Sequence, residues 1–427
     1  MMPRWLYSLL WYLATPLIGL RLLWRARRQA AYLRHLGERY GFYGGPKPPS
    51  PLIWVHAVSV GETRAAEPLI EGLLANWPGH HILLTSMTPT GRAAGHAVYG
   101  ERAGGRVTQA YLPYDYPGAT RRFLAHFQPA FGVLMETEIW PNLLAAAAAR
   151  QVPVMLANAR LSERSAKGYG RLPRLVRPAF AALAGVGAQT ADDARRIAVL
   201  GAARVEVCGN LKFDVTPAPE KLALGEQWRA AIPSRPVFLA ASTRDGEEEL
   251  LLAAWRDQGR QRASAALLVL VPRHPQRFAD VAALLDRQGW RWQRRSLGLP
   301  DAACAVWLGD SMGEMAAYYR LADLAFIGGS LLPLGGQNLI EAAACDCPVL
   351  IGPHTFNFAQ ATADAIAAGA ARRVADAVTL VETGQQLLAD PAQLAAMRQA
   401  AGAFARAHRG ATERTLALVA RINRGAL

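Results

Sequence analysis

From Pro51 onward the chain alternates short apolar segments with longer segments of helical spacing, and it does so in two successive blocks. Such alternation builds a parallel sheet covered by helices on both faces, because parallel neighbours need a helix-length crossover between them. In the first block the strand patterns are Leu52 to Ala57, Ile82 to Thr85, Val107 to Leu112, Phe131 to Met135, Val154 to Ala157 and Val205 to Cys208. Helical spacing falls between them at Arg64 to Asn76, Pro117 to Phe127, Glu138 to Arg150 and Thr190 to Leu200. The segment Thr216 to Glu220, TPAPE, breaks the pattern and reads as a linker. The second block follows with Val237 to Ala241, Ala266 to Val271, Ala305 to Leu308, Leu324 to Ile327, Val349 to Ile351 and Ala371 to Val374; its helices begin near Gly246, Pro275, Gly313, Asn338 and Asn357. The expected organisation is two doubly wound α/β domains, 31–215 and 236–427, joined by a linker over 216–235, with the last helix a candidate to pack back on the first domain.

Doubly wound sheets bind ligands outside the carboxyl ends of their strands, so residues just after each strand are the ones to weigh, and a cleft between two such domains is the expected site. The stretch Gly309 to Phe358 holds two glycine-rich turns around one buried-strand pattern. Gly335 and Gly336 allow close backbone approach to a ligand, and Asn338 is expected to open a helix whose free N–H groups favour an anion. Glu341, one turn further, would repel a phosphate and suits ribose hydroxyls better. Neither GxGxxG nor GxxxxGKS is present.

Other strand ends carry chemistry-bearing side chains. Glu62 follows the first strand at the start of a helix, where it could serve only the helix dipole or, if partly buried, act as a base. Glu136 and Glu138 both follow the fourth strand, and helix capping needs only one of them. Asn158, Arg160, Ser162 and Arg164 follow the fifth. Lys212, where the linker begins, could reach across the cleft to a negative group or stand exposed on the surface. Arg273 lies on a stiff turn between prolines, and the adjacent His274 lacks an obvious catalytic partner in sequence. Cys345 and Cys347 read as packing residues, and the cysteines lack the paired spacing of a zinc site.

Basic residues outnumber acidic ones by 47 to 33, a net charge of +14 that implies an anionic partner. Arg4, Arg21, Arg25, Arg27, Arg28, Arg34, Arg39 and Lys47 crowd the amino terminus against Glu38 alone, beside the uncharged run Trp5 to Leu20. That pairing favours a membrane surface over nucleic acid. The run is short for a bilayer, which asks for about twenty apolar residues. Residues 1–30 are therefore expected to be a membrane anchor, either spanning with snorkelling arginines or lying in the interface.

The segments SVGETRAAEP, TSMTPTGR, LPYDYP, METEIWPNLL, NARLSERSAKGY, GNLKFD, ASTRDGEE, VPRHPQRF, GDSMGEM, GGQNLIEAA and GPHTFNF occur together and in register. In this combination the chain resembles the bacterial 3-deoxy-D-manno-octulosonic acid (Kdo) transferases, from the amino-terminal anchor to about residue 360. The resemblance implies a GT-B fold and transfer of Kdo from CMP-Kdo to the lipid A precursor (lipid IVA), at the cytoplasmic face of the inner membrane, with inversion and without metal or cofactor. It places a general base at Glu62 and residues that stabilise the transition state at Glu136 and Lys212. It places CMP against Pro272, Arg273, Met312, Gly313, Glu314, Asn338, Leu339, Ile340 and Glu341. Another GT-B transferase or a nucleotide-sugar epimerase on the same scaffold remains an alternative, as does a non-catalytic membrane-tethered binding protein.

Overall fold

The structure is a computed structural model that describes residues 2–27, 29–44, 47–49, 51–100, 104–232, 235–261 and 266–423. Arg28 of the amino-terminal basic cluster lies outside the described residues.

The first block folds into a parallel sheet of β1 (Leu52–His56), β2 (His81–Ser86), β3 (Val107–Tyr111), β4 (Phe131–Met135), β5 (Val154–Ala159), β6 (Gly185–Ala188) and β7 (Val205–Val207), in the order β3-β2-β1-β4-β5-β6-β7. β1, β4, β5 and β6 are buried along their whole length, as strands covered on both faces must be. β6 reads GVGA and adds to the expected set; its two glycines dilute the apolar pattern that marks a strand. Glycine is needed there for packing, since a Cβ on Gly187 would press on the Cys208 thiol at 3.1 Å.

The second block gives β8 (Val237–Thr243), β9 (Leu267–Pro272), β10 (Trp292–Arg294), β11 (Val306–Leu308), β12 (Leu324–Ile327), β13 (Val349–Ile351) and β14 (Ala371–Arg373), parallel and in the order β10-β11-β9-β8-β12-β13-β14. β10, the half-buried edge strand WQR, was hidden by its polar composition. Two parallel seven-stranded sheets with helical crossovers make this a two-domain Rossmann-like fold of GT-B type.

The chain divides into two compact units, residues 1–215 with 409–427 and residues 216–408. The stretch expected as a linker carries helix Pro219–Ala231, which starts on a proline at its first turn and packs on helix Met315–Leu321 within the second unit. The last helix, Ala411–Asn423, packs on helix Val60–Asn76 of the first unit.

The amino-terminal apolar run is two helices, Arg4–Leu13 and Thr15–Ala26, bent by 51°. Pro16 sits in the first turn of the second helix, where its missing N–H breaks the ladder. No single helix is long and apolar enough to cross a membrane, although the bent pair passes that test together. Arg39, counted among the basic residues of the terminus, is buried under Tyr111, with its guanidinium 4.1 Å from the ring centroid.

Candidate active site

In the first sheet the chain order reverses between β1 and β4, so the crevice at their carboxyl ends is the topological switch point where such sheets bind ligands. Glu62 leaves β1 in the first turn of helix Val60–Asn76, and Glu136 leaves β4 as the residue after Met135. The half-buried Glu62 carboxylate accepts from the Val58 N–H at 2.8 Å and the Ser59 hydroxyl at 3.3 Å. Burial pushes its carboxyl up to about 7, aided by the negative charges of Glu136 and Glu138 and opposed by the Val58 and Ser59 hydrogen bonds. A carboxyl so placed exchanges a proton near neutrality, which an ordinary exposed glutamate does not.

Glu138 is also raised, first by burial and then by Glu136, while the Trp140 indole N–H donates to it at 2.7 Å. His56, at the end of β1, is fully buried, and burial lowers its pKa to about 3. It is therefore neutral, and its Nε2 approaches Glu138 Oε2 to 3.9 Å without forming an ion pair.

Glu136 is held between two cations, with Lys212 Nζ at 2.9 Å from Oε1 and Arg160 Nε at 3.4 Å from Oε2. Its backbone is left-handed at φ +57°, an uncommon conformation for glutamate, and its N–H is tied to the Ala157 carbonyl at 2.9 Å. Lys212, for which the sequence left open a reach across the cleft or an exposed place on the surface, is engaged by Glu136 within its own unit. It lies in the short 3-10 turn Leu211–Asp214 after β7, where the Leu211 N–H donates to Asn158 Oδ1 at 3.0 Å and the Lys212 N–H to Asn210 Oδ1 at 3.0 Å. Asp214 fastens the far side of that turn by accepting from the Gly410 and Thr412 N–H groups of the carboxyl-terminal segment, at 2.7 and 2.5 Å.

The residues expected at a nucleotide also end strands, in the second unit. Pro272 closes β9, and the exposed Arg273 that follows donates its N–H to the Thr243 carbonyl at 2.9 Å. His274 is exposed; beyond desolvation, the charges of Arg244, Arg273 and Arg277 lower its pKa, so three guanidiniums crowd these strand ends. After β11, Met312 is exposed, Gly313 takes φ +77°, and Glu314 binds Arg295 at 3.1 Å and Ser311 at 2.5 Å. After β12 the helix begins at Ile340, two residues later than expected, and spans only Ile340–Ala344. Asn338 takes the Ile340 N–H on Oδ1 and donates Nδ2 to Glu341, both at 3.1 Å. The Leu339 and Ile340 side chains are buried, which leaves their backbone as the part able to meet a ligand. A Cβ on Gly335, at φ +91°, would collide with the Asn357 amide.

The amino-terminal helices pack beside the first-unit crevice. Trp11 stacks on Tyr114, meets Tyr116 edge-on and lies tilted against Trp140, Ser8 donates to Asn142 Oδ1 at 3.1 Å, and Thr15 shares a 2.8 Å hydrogen bond with Tyr116. Trp5, Leu9, Leu13, Leu17, Leu20 and Trp24 remain exposed. A separate hollow of about 530 Å³ is bordered by Glu163, Arg164, Lys167, Gly168 and Arg171; of the strand-end residues weighed from the sequence, Arg164 alone lines it.

Residues 34–215 match the family model described as 3-Deoxy-D-manno-octulosonic-acid transferase (kdotransferase). A 3-deoxy-D-manno-octulosonic acid transferase from Bordetella pertussis is 48% identical over 423 residues, covering 97% of this chain and 98% of that protein. The chain belongs to the Kdo transferase family. A second transferase of that description, from Haemophilus influenzae, is 39% identical and covers 84% of each chain. A solved UDP-GlcNAc 2-epimerase from Neisseria meningitidis bound to UDP-GlcNAc has a TM-score of 0.58 at 15% identity, over 87% of this chain and 100% of that one, and so attests the fold alone. Kdo transfer by a glycosyltransferase is the activity that family membership gives this chain.

Within this transferase the structure brings Glu136 and Lys212 into contact and places Glu62 at the same crevice, while the nucleotide candidates gather at strand ends of the other unit. Sequence reasoning named Asn158 among the residues after the fifth strand without a specific role, and gave His56 none. Their position at strand ends was the available signal, but burial and the left-handed backbone of Asn158 become visible only in three dimensions.

Proposed function

We propose that the transferase moves Kdo from CMP-Kdo to the lipid A precursor, lipid IVA, with inversion at the anomeric carbon and with Glu62 as general base. The observation that carries this reading is Glu62 itself, set at the β1/β4 switch point with its carboxyl pushed to about 7. The Glu62 carboxylate takes the proton of an acceptor sugar hydroxyl as that oxygen bonds to the anomeric carbon of Kdo. The bond from that carbon to the phosphate oxygen breaks, and CMP departs with the electron pair. A base whose pKa matches the working pH suits this step, because it is deprotonated often enough and still accepts a proton readily. Lys212, oriented by Glu136, supplies positive charge where negative charge develops.

CMP is assigned to Pro272, Arg273, the Met312-Gly313-Glu314 turn and the Asn338 to Glu341 segment. Arg244 and Arg273, whose charges act on His274, suit its phosphate, while Arg277 is already paired with Asp245 and Glu248; Glu341 suits its ribose hydroxyls. The reading needs no metal, since these fixed positive groups can carry the leaving-group charge. The amino-terminal pair is assigned to the cytoplasmic surface of the inner membrane as an interfacial anchor. Its exposed apolar face and neighbouring Arg4, Arg21 and Arg25 support that placement, because anionic headgroups attract such segments.

Incubating the full chain with CMP-Kdo and tetraacylated lipid IVA, followed by mass spectrometry of the lipid, tests the whole reading. Mass gain by one or more Kdo units with release of CMP is expected. An unmodified lipid alongside CMP-Kdo consumption on a different acceptor would overturn the acceptor assignment.

A further inference from the structure

Glu136 and its two cations come from three separate strand ends, and one buried residue connects them. Asn158 is fully buried at the carboxyl end of β5, with a left-handed backbone at φ +53°. Its Oδ1 accepts the Leu211 N–H at 3.0 Å and so fixes the turn whose next residue is Lys212. Its carbonyl accepts from Gln189 Nε2 at 3.0 Å, which pins the backbone that leads, two residues on, to Arg160. The preceding residue, Ala157, holds the Glu136 N–H. We infer that Asn158 is a positioning residue that sets Lys212 and Arg160 on the two carboxylate oxygens of Glu136.

Asparagine suits both demands of this place. It tolerates the left-handed region better than other residues with a side chain, and it offers a short acceptor at a fixed reach. Its Nδ2 has no hydrogen-bond partner among the described protein atoms, so replacement by aspartate removes no protein hydrogen bond and keeps the acceptor, with burial favouring the neutral carboxyl at this fully buried place. Glycine keeps the backbone conformation but loses the acceptor.

This inference rests on the proposed reaction, and its test separates the two. Asn158→Gly, Asn158→Asp, Lys212→Ala and Asn158→Gly combined with Lys212→Ala are made in the full chain. Each is assayed for kcat and KM with CMP-Kdo, and Lys212 acetylation by acetic anhydride is mapped by mass spectrometry. Asn158→Gly is expected to lower kcat by about tenfold or more while KM for CMP-Kdo stays within about twofold, since misplaced groups lose rate before they lose donor binding. Lys212 should acetylate faster in that variant, Asn158→Asp should restore kcat and the slow acetylation, and the glycine effect should vanish in the Lys212→Ala background. Unchanged kcat in Asn158→Gly, or an equal further loss in the Lys212→Ala background, overturns the inference. Should Asn158→Gly not fold, Asn158→Asp decides alone: wild-type kcat and acetylation support the inference, and loss of either overturns it. If the wild-type chain transfers no Kdo, the functional reading fails, and the acetylation rates still judge Asn158.

Discussion

Each unit opens its first helix with a glycine-glutamate pair after its first strand, Gly61-Glu62 and Gly246-Glu247, and the two glutamates have opposite fates. Glu62 is half-buried, accepts a single backbone N–H, and titrates near neutrality. Glu247 is fully buried and takes the N–H groups of Arg244, Gly329 and Leu331 at 2.9, 2.6 and 3.0 Å. These three bonds stitch the loop after β8 to the loop after β12. The same contrast recurs across each switch point, where β4 is followed by Glu136 in a left-handed conformation and β12 by Gly328-Gly329, with Gly329 at φ +70°. A Cβ on Gly328 would meet the Ser242 carbonyl oxygen at 2.5 Å, so side chains are excluded there. The first unit therefore leaves Glu62 with a single backbone donor at its crevice, and the second uses Glu247 to hold a bare backbone in shape.

The largest effect expected from breaking this contrast is on rate. Glu62→Gln should lower kcat by about 10²–10⁴-fold, as loss of a general base does, with CMP affinity unchanged by calorimetry. Its effect on stability should run the other way. The folded-state pKa of about 7 lies above the ordinary 4.5, so the unfolded chain releases this proton first and the wild-type protein loses stability as pH rises between those values. Urea unfolding of Glu62→Gln should therefore show an advantage over wild type that grows from about pH 5 to about pH 8.

Glu247→Ala is expected to do the reverse, costing at least about 3 kcal/mol of stability in urea because buried N–H groups lose their acceptor. A variant that stays as stable as wild type would dissolve the contrast between the two glutamates. Gly335→Ala should cost about 1–3 kcal/mol from the left-handed backbone and the Asn357 collision, and should weaken CMP binding measured by calorimetry. The smallest effect belongs to Lys167→Ala, which breaks an exposed 2.7 Å pair with Glu163 and should leave both the urea midpoint and transfer unchanged.

Much of the fold can be read in the sequence, since β4, β12 and β13 coincide with their apolar runs and helix Pro117–Phe127 with its spacing. What escaped was written in weak local signals. GVGA and WQR lack the apolar density of a strand, and Pro89–Tyr99 carries a proline and two glycines in its helix. TPAPE looked like a linker because its second proline marks a helix start as readily as a loop. At the candidate site, Glu62, Glu136 and Lys212 could be singled out for weighing from their places after strands, while their roles came only from the family resemblance. Whether a glutamate is free or consumed could not be read, because the donors that bury Glu247 lie as far as 84 residues away in the chain. Asn158 stands out by its place after a strand, but its tie to Leu211, 53 residues on, is hidden for the same reason.

The pH dependence of kcat/KM for Kdo transfer tests the central assignment most directly. The wild-type enzyme should gain activity about tenfold per pH unit below an apparent pKa near 7 and level off above it, as Glu62 gives up its proton. The residual activity of Glu62→Gln should lack that step. A wild-type profile that is flat between about pH 5 and about pH 8, or the same step retained in Glu62→Gln, would contradict Glu62 as the base.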